Sequence, residues 1–535
     1  MRFDALKYEY RSKRNVIYGT RGMVCTSQPQ AAQAGLDIIK AGGNAVDAAI
    51  ATAACMTVME PTSNGLGSDA FALVWMKDQL YGLNASGRAP VSLSAEKLRA
   101  LGYTEMPRRG WIPVMVPGAP SAWAELSKRF GRLPLETVLE KAADYAEHGY
   151  PVSPNTAYLW KVSYDLFSDV KDQPEFKPWF DCFGSLGHAP EPGEIWKNPE
   201  MAETIRLIGK TGAEAYYRGE IAEKIDAFSR ATGGYLRKED LAAYHPDWVT
   251  PITVNYHGYD VWEIPPNGAG LTALMALNIM DGYHFTNRND AEMVHVQLEA
   301  MKLAYMDAKQ YITDADHMRM SVQALLSKKY ADKRRELITD RAELPRFGDP
   351  EGSGTIYLCT ADGEGNMVSY IQSNFNGFGS GIVVPGTGIS LQNRGFGFSL
   401  DEEAENCLRP GKKTYHTIIP GFLSKDGQAI GPFGVMGGFM QPQGHVQVVM
   451  NTVDFHMNPQ DALNAPRWQW MEGKTIAVEK EFPTHIVEEL IRKGHKIQIP
   501  AMNTSFGRGQ IIWRNEDGVL CGATEPRADG TVAVW

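Results

Sequence analysis

Long apolar runs are missing from this chain of 535 residues. No stretch of about 18 apolar residues occurs, so no transmembrane helix is expected. The opening MRFDALKYEYRSKRN is charged and has no apolar core, which argues against a secretory signal. A basic surplus is missing too. The formal net charge is −10, with 53 Lys and Arg against 63 Asp and Glu. Binding to nucleic acid or to an anionic membrane surface needs clustered cations, so neither partner is expected. The short basic run at Lys328, Lys329, Lys333, Arg334 and Arg335 falls in a helical pattern and reads as a solvated face. The six cysteines (Cys25, Cys55, Cys182, Cys359, Cys407 and Cys521) are scattered without a CxxC pair. That argues against a disulfide framework or a zinc site and fits a reduced, cytoplasmic chain with buried thiols. No metal or cofactor is expected.

The common enzyme signatures are also absent. There is no Walker A loop, no HExxH, no GxSxG and no complete GxGxxG between a strand and a helix. The glycine-rich GFGSGIVVPGTG at 377–388 lacks the lysine and the following helix of a phosphate loop, and reads as tight strand turns.

What is present is the composition of a globular protein, 43% apolar and 22% charged. Residues 28–59 read as two helices broken at Gly42-Gly43, with Asn44 placed to cap the second. FALVWM and QLYGLNA read as a hairpin of buried strands. Residues 120–330 are largely helical by period, most clearly 291–312, where Asn289 and Glu292 have capping-box spacing. From 341 to 354 the pattern lapses into RAELPRFGDPEGSG. After it come short strands and turns, TIYLCT, ADGEGN and MVSYIQS, with a late helix at 484–493 and a terminal hairpin around 515–518. A helix-rich first part and a strand-rich last third suggest an α+β layered fold.

The boundary at Gly354-Thr355 carries the chemical question. A threonine hydroxyl is a weak nucleophile unless a base takes its proton, and a free α-amine on the same residue is one such base. An internal threonine gains that amine only if the chain is cut just before it. Small, flexible preceding residues then let the hydroxyl reach the previous carbonyl, and Gly354 carries no Cβ to block it. From these residues alone, an exposed linker and a self-cleavage site both remain open.

The surroundings of Thr355 resemble the γ-glutamyltranspeptidase superfamily of N-terminal-nucleophile hydrolases. The resemblance runs through TIYLCTA, the Asp362-Gly363-Glu364-Gly365-Asn366 turn, MVSYIQS, FGSGIVVPGTGISLQN, GVMGGFMQPQGH, NPQDALNAPRW and GATEPRADG. Upstream, MVCTSQPQAAQAGLDIIKAGGNAVDAAIAT is similar to the family's N-terminal signature. The resemblance implies a four-layered αββα sandwich. It divides the chain into a large segment, 1–354, and a small segment, 355–535, entwined as one domain after cleavage in a loop at about 341–354.

Carried over residue by residue, the resemblance makes Thr355 the nucleophile for self-cleavage at Gly354 and for catalysis. It makes Ser373 the hydroxyl that hydrogen-bonds the nucleophile, and Gly437-Gly438 the backbone oxyanion donors. The substrate end departs from the pattern. An arginine that clamps the substrate carboxylate becomes Ser86, and an asparagine two residues past the second hydroxyl becomes Phe375. In QNRGFG the family's glutamine and amine-gripping aspartate become Arg394 and Gly397, following Asn393. A Ser-Ser pair becomes His416-Thr417. Losing the aspartate removes a partner for an ammonium, while Arg394 adds a carboxylate binder, unless it pairs with Asp401, Glu402 or Glu403. Arg88 is a possible replacement ligand. His416 and His445 read as satisfied polar histidines, and Cys359 as a packing residue.

The resemblance therefore implies an autoprocessing amidohydrolase acting on a small carboxylate-bearing amide, oxamate-like, through an ester intermediate. The alternatives are a γ-glutamyl hydrolase or transferase using other ligands, and a non-enzymatic remnant that keeps the fold as a binding protein.

Overall fold

Residues 14–344, 354–502 and 505–535 are described by the computed structural model. Part of the 341–354 processing loop, residues 345–353, lies outside them. Two seven-stranded sheets form the centre. The first runs, edge to edge, Thr531–Val534, Gly22–Thr26, Gly354–Asp362, Met367–Phe375, Asp69–Met76, Gln79–Ala85 and Asp247–Val249. The second runs Ile17–Gly19, Leu520–Thr524, Arg508–Arg514, Gln428–Met436, Gly421–Lys425, Tyr259–Glu263 and Ile252–Tyr256. Strands from before and after residue 354 sit side by side in both sheets.

The strand Gly354–Asp362 lies in the middle of the first sheet and packs face to face on Gln428–Met436 of the second. Such strands are buried on both sides, which explains the near-continuous apolar runs of FALVWM and TIYLC. Helices Pro29–Lys40 and Ala45–Met59 cover the outer face of the first sheet; Gly270–Met280 and Met440–Val453 cover the second, and Ala291–Tyr311 packs on Gly270–Met280. The layers are helix, sheet, sheet, helix.

Local chemistry explains several boundaries. Asn44 Oδ1 accepts from the N–H groups of Val46 and Asp47, and Asp47 returns the bond to Asn44 N–H, a full capping box. All fifteen residues of the helix it starts are buried, between the sheet and neighbouring helices. The turn after Gly354–Asp362 is held by Asp362, whose Oδ1 accepts from Glu364 and Asn366 N–H while Oδ2 accepts from Ala45 N–H.

Two sequence expectations need correcting. The long helix Ala291–Tyr311 is capped by Asp290, whose carboxylate accepts from Glu292 N–H, and not by Asn289. The 120–330 stretch is interrupted by three strands at 247–263. The hairpin ITVNYHGYDVWE is too short to break the surrounding helical period, and its turn uses His257 and Gly258 at φ 46° and 88°.

Candidate active site

Thr355 opens the central strand beside a register irregularity: Gly354 pairs with Phe375 and Ile356 with Gln372, so Ser373 and Asn374 together oppose Thr355. A bulge of this kind re-aims side chains. Here it sets the Ser373 hydroxyl 3.0 Å from Thr355 Oγ1, with both residues buried. Ser373 Oγ also accepts from Phe375 N–H at 2.8 Å. Phe375 adopts φ 77°, a left-handed conformation costly for an aromatic residue and easier for the asparagine the family carries there.

The Phe375 ring supports Arg394, whose guanidinium lies 4.1 Å above it. Arg394 Nη1 donates to Thr417 Oγ1 at 2.9 Å, and Nη2 faces Ser373 Oγ at 3.5 Å. The nearest acid is Asp69, 3.9 Å from Arg394 Nε. Glu402 instead pairs with Arg99, and Asp401 caps Glu403 N–H. Arg394 is fully buried against the Thr355–Ser373 hydroxyl pair.

His416 donates from Nε2 to Asp69 Oδ2 at 2.9 Å and sits 4.9 Å from the Phe71 ring. Burial, with Arg394 and Lys413 nearby, holds its pKa well below the usual histidine value, so the ring is neutral. Burial pushes Asp69 up to about 7, against the pull of Arg394. His445, on the helix Met440–Val453 that covers the second sheet, is satisfied by that sheet: Nδ1 bonds Glu263 Oε1 at 2.7 Å and Nε2 accepts from Val435 N–H.

Gly437 and Gly438 end the strand Gln428–Met436 and lead into the helix Met440–Val453. Their φ values are 137° and 57°, and a Cβ on Gly437 would come within 3.0 Å of Gly507 Cα. Only glycine suits this turn. Their carbonyls accept from Met440 and Gln441, and among the described residues their own N–H groups donate to no backbone carbonyl.

Gly437 and Asn393 both line a cavity of about 470 Å³. Asn393 is fixed there by Asn376 N–H and by its own bond to Arg108 O. One wall is apolar, with Val162, Leu166 and Phe167 from the helix Pro154–Phe167, and Phe378 and Phe439 from elsewhere. Arg108, Arg109 and Arg508 also border it.

Two other sequence candidates have different surroundings. Ser86 donates to Asn84 Oδ1 at 2.7 Å and stands 3.2 Å from Asn267 Oδ1, and is buried. Arg88 pairs with Asp314 at 3.3 Å and with Gly411 O. Neither borders the cavity, and Thr355, Ser373, Gly438, Arg394, His416 and Thr417 are likewise not among its bordering residues; of the sequence candidates, Gly437 and Asn393 are. The residue that sequence reasoning missed is Asp69, whose signal was a lone acid opening an apolar strand in GSDAFALVW. Among the described residues one group, His295, Glu299 and His495, brings three ligand-type atoms within 4.8 Å of one another. The Lys302 ammonium, 2.6 Å from Glu299 Oε1, already supplies its positive charge.

A buried strand-opening hydroxyl in a four-layered sandwich defines an N-terminal-nucleophile hydrolase fold. Residues 31–535 match the sequence profile of the gamma-glutamyltranspeptidase family, and the chain belongs to it. It is 35% identical to the glutathione hydrolase-like YwrD proenzyme of Bacillus subtilis, over 96% of this chain and 98% of that one. It is 32% identical to the oxamate amidohydrolase proenzyme of Klebsiella pneumoniae, again over 96% and 98%. A crystal structure of cephalosporin acylase from Bacillus halodurans superposes with a TM-score of 0.97 at 58% identity, over 100% of this chain and 99% of that one. The protein is thus an autoprocessed amidohydrolase of this family.

Proposed function

We propose that Thr355 is the nucleophile that first cleaves its own chain and then hydrolyses a carboxylate-bearing amide. The observation that carries this reading is the Thr355–Ser373 hydroxyl pair at 3.0 Å, directly after Gly354. In processing, Thr355 Oγ adds to the Gly354 carbonyl carbon. The Gly354–Thr355 C–N bond breaks, an ester forms, and the hydroxyl proton passes to the departing nitrogen. Water then splits the ester into a Gly354 carboxylate and a Thr355 with a free amine.

In turnover that amine takes the Oγ proton during attack on the substrate carbonyl and returns it to the leaving amine. Water releases the acid from the acyl-Thr355 ester. The Gly437 and Gly438 N–H groups receive the oxyanion in both steps.

The cavity supports a substrate larger than oxamate. Its apolar wall suits a bulky body, and Val162 and Leu166, 47% and 52% exposed, leave apolar surface for one to cover. The bordering arginines suit an acidic group. The 58% identical relative named a cephalosporin acylase is consistent with such an amide. Among the described residues no carboxylate borders the cavity to grip an ammonium, which disfavours γ-glutamyl substrates despite the glutathione hydrolase-like relative. The test compares glutaryl- and γ-glutamyl-4-nitroanilide, which differ by the α-amino group alone. Faster release from the glutaryl compound is expected; a preference for the γ-glutamyl compound would overturn the substrate reading.

A further inference from the structure

Behind the nucleophile pair lies a carboxylate to which the mechanism above gives no task. Asp69 stands opposite Ser373 in the ladder between their two strands and is fully buried. Its Oδ1 accepts from Gly87 N–H at 3.0 Å and its Oδ2 from His416 Nε2. His416 Nδ1 in turn accepts from Ile418 N–H at 3.4 Å, so the ring carries a single proton and no charge. Tyr217 and Tyr244 also face Asp69, and Tyr415 faces Arg394; burial holds all three phenols above their usual pKa, hence neutral. Lys413 contributes a positive charge, but its Nζ is bound to Asp247 Oδ2 at 2.6 Å. Arg394 is left as the cation that answers Asp69.

That guanidinium reaches from Asp69 to the hydroxyl beside the nucleophile. Its Nε is 3.9 Å from Asp69 Oδ2 and makes no hydrogen bond among the described residues. Its Nη1 is anchored on Thr417, its Nη2 faces Ser373, and its plane rests on Phe375. We propose that Asp69 is a positioning residue that, through Arg394, fixes the place and the charge compensation of the guanidinium against Ser373, and thereby orients the Thr355 hydroxyl. The inference rests on the reading of Thr355 as nucleophile. Removing the carboxylate leaves a buried cation without its counter-charge, and the guanidinium then moves or draws in solvent at the reacting hydroxyls. A shift of about 1 Å at such a place costs on the order of 100-fold in rate.

The experiment follows conversion of full-length precursor, made in a short pulse of cell-free synthesis, into its two segments by intact mass between pH 5 and 9. Asp69→Asn is expected to convert about 100-fold more slowly than wild type and to lose the wild-type pH profile, with Asp69→Glu recovering part of the rate. Because Asp69 acts through Arg394, the double variant Asp69→Asn/Arg394→Gln is expected to be no slower than Arg394→Gln alone. Wild-type rate and pH profile in Asp69→Asn would overturn the proposal, as would losses that multiply in the double variant. If Asp69→Asn does not fold, the wild-type 15Nε resonance of Arg394, assigned by its loss in Arg394→Gln, carries the test. Movement of that resonance with a midpoint near 7, where burial holds Asp69, and separate from the guanidinium's own titration, lowered by burial to about 9, supports the coupling; a resonance flat through the lower step overturns it. A wild type that never cleaves refutes the Thr355 reading instead, and the resonance still reports on Asp69.

Discussion

The proposed reacting end and the proposed selecting end of this molecule are built differently. Thr355 and Ser373 come from adjacent strands joined by a four-residue turn, and Gly437-Gly438 from the end of a strand packed against them. The backbone sets these groups, through ladder register, a bulge and positive φ values. The cavity wall is gathered instead from the 108–109 segment, the helix Pro154–Phe167, the 376–379 turn, Phe439 and Arg508. The first arrangement tolerates almost no change in side chain. The second can be altered residue by residue without disturbing the sheets, and this is how one fold serves different amides.

Breaking the reacting end should have the larger effects. Gly437→Ala puts a Cβ 3.0 Å from Gly507 Cα at φ 137°. It should lower kcat in an acyl-transfer assay by about 100-fold or more, the usual cost of disturbing an oxyanion donor. Ser373→Ala removes the 3.0 Å contact to Thr355. It should slow both conversion and turnover by about 100-fold, at least as much as the loss of Asp69 that acts through it. At the selecting end, Leu166→Ser should raise KM for bulky apolar amides by several-fold, at most about tenfold, and leave kcat unchanged. A fall in kcat there would erase the contrast between the two ends.

The pH dependence of stability sharpens the same contrast. Burial raises Asp69 from 3.8 to about 7. Between those values the folded chain keeps a proton that the unfolded chain has lost, so stability falls as pH rises through this window. In an uncleaved Thr355→Ala background, urea unfolding from pH 4 to 8 should show that fall, and adding Asp69→Asn should flatten it.

The contrast also explains what could be read from the sequence. The helices before and after Gly42-Gly43, the FALVWM–QLYGLNA hairpin and the strand opening at Thr355 announce themselves because their periods, caps and turn residues are local. Asp290 rather than Asn289 caps its helix although only Asn289 has a glutamate three residues on: both residue types can cap, and the Asp290 carboxylate reaches Glu292 N–H without closing a box. The 247–263 strands stayed hidden because their stabilisation is non-local: Asp247–Val249 pairs with Gln79–Ala85, and Tyr259–Glu263 with Gly421–Lys425. At the site, the Thr355–Ser373 spacing was legible through family resemblance. The partner of Arg394 was not. Three acids lie within nine positions of it in sequence, yet it faces Asp69, more than 300 residues earlier. The cavity wall was illegible for the same reason, since no local pattern marks Val162 or Leu166 as neighbours of Gly437.

The central claim is that Thr355 makes itself an N-terminus, and intact mass spectrometry of purified wild type beside Thr355→Ala tests it most directly. Wild type should give two polypeptides, the smaller beginning at Thr355, while Thr355→Ala should remain one full-length chain. A single uncut mass for both proteins, or the same two fragments from both, would contradict it.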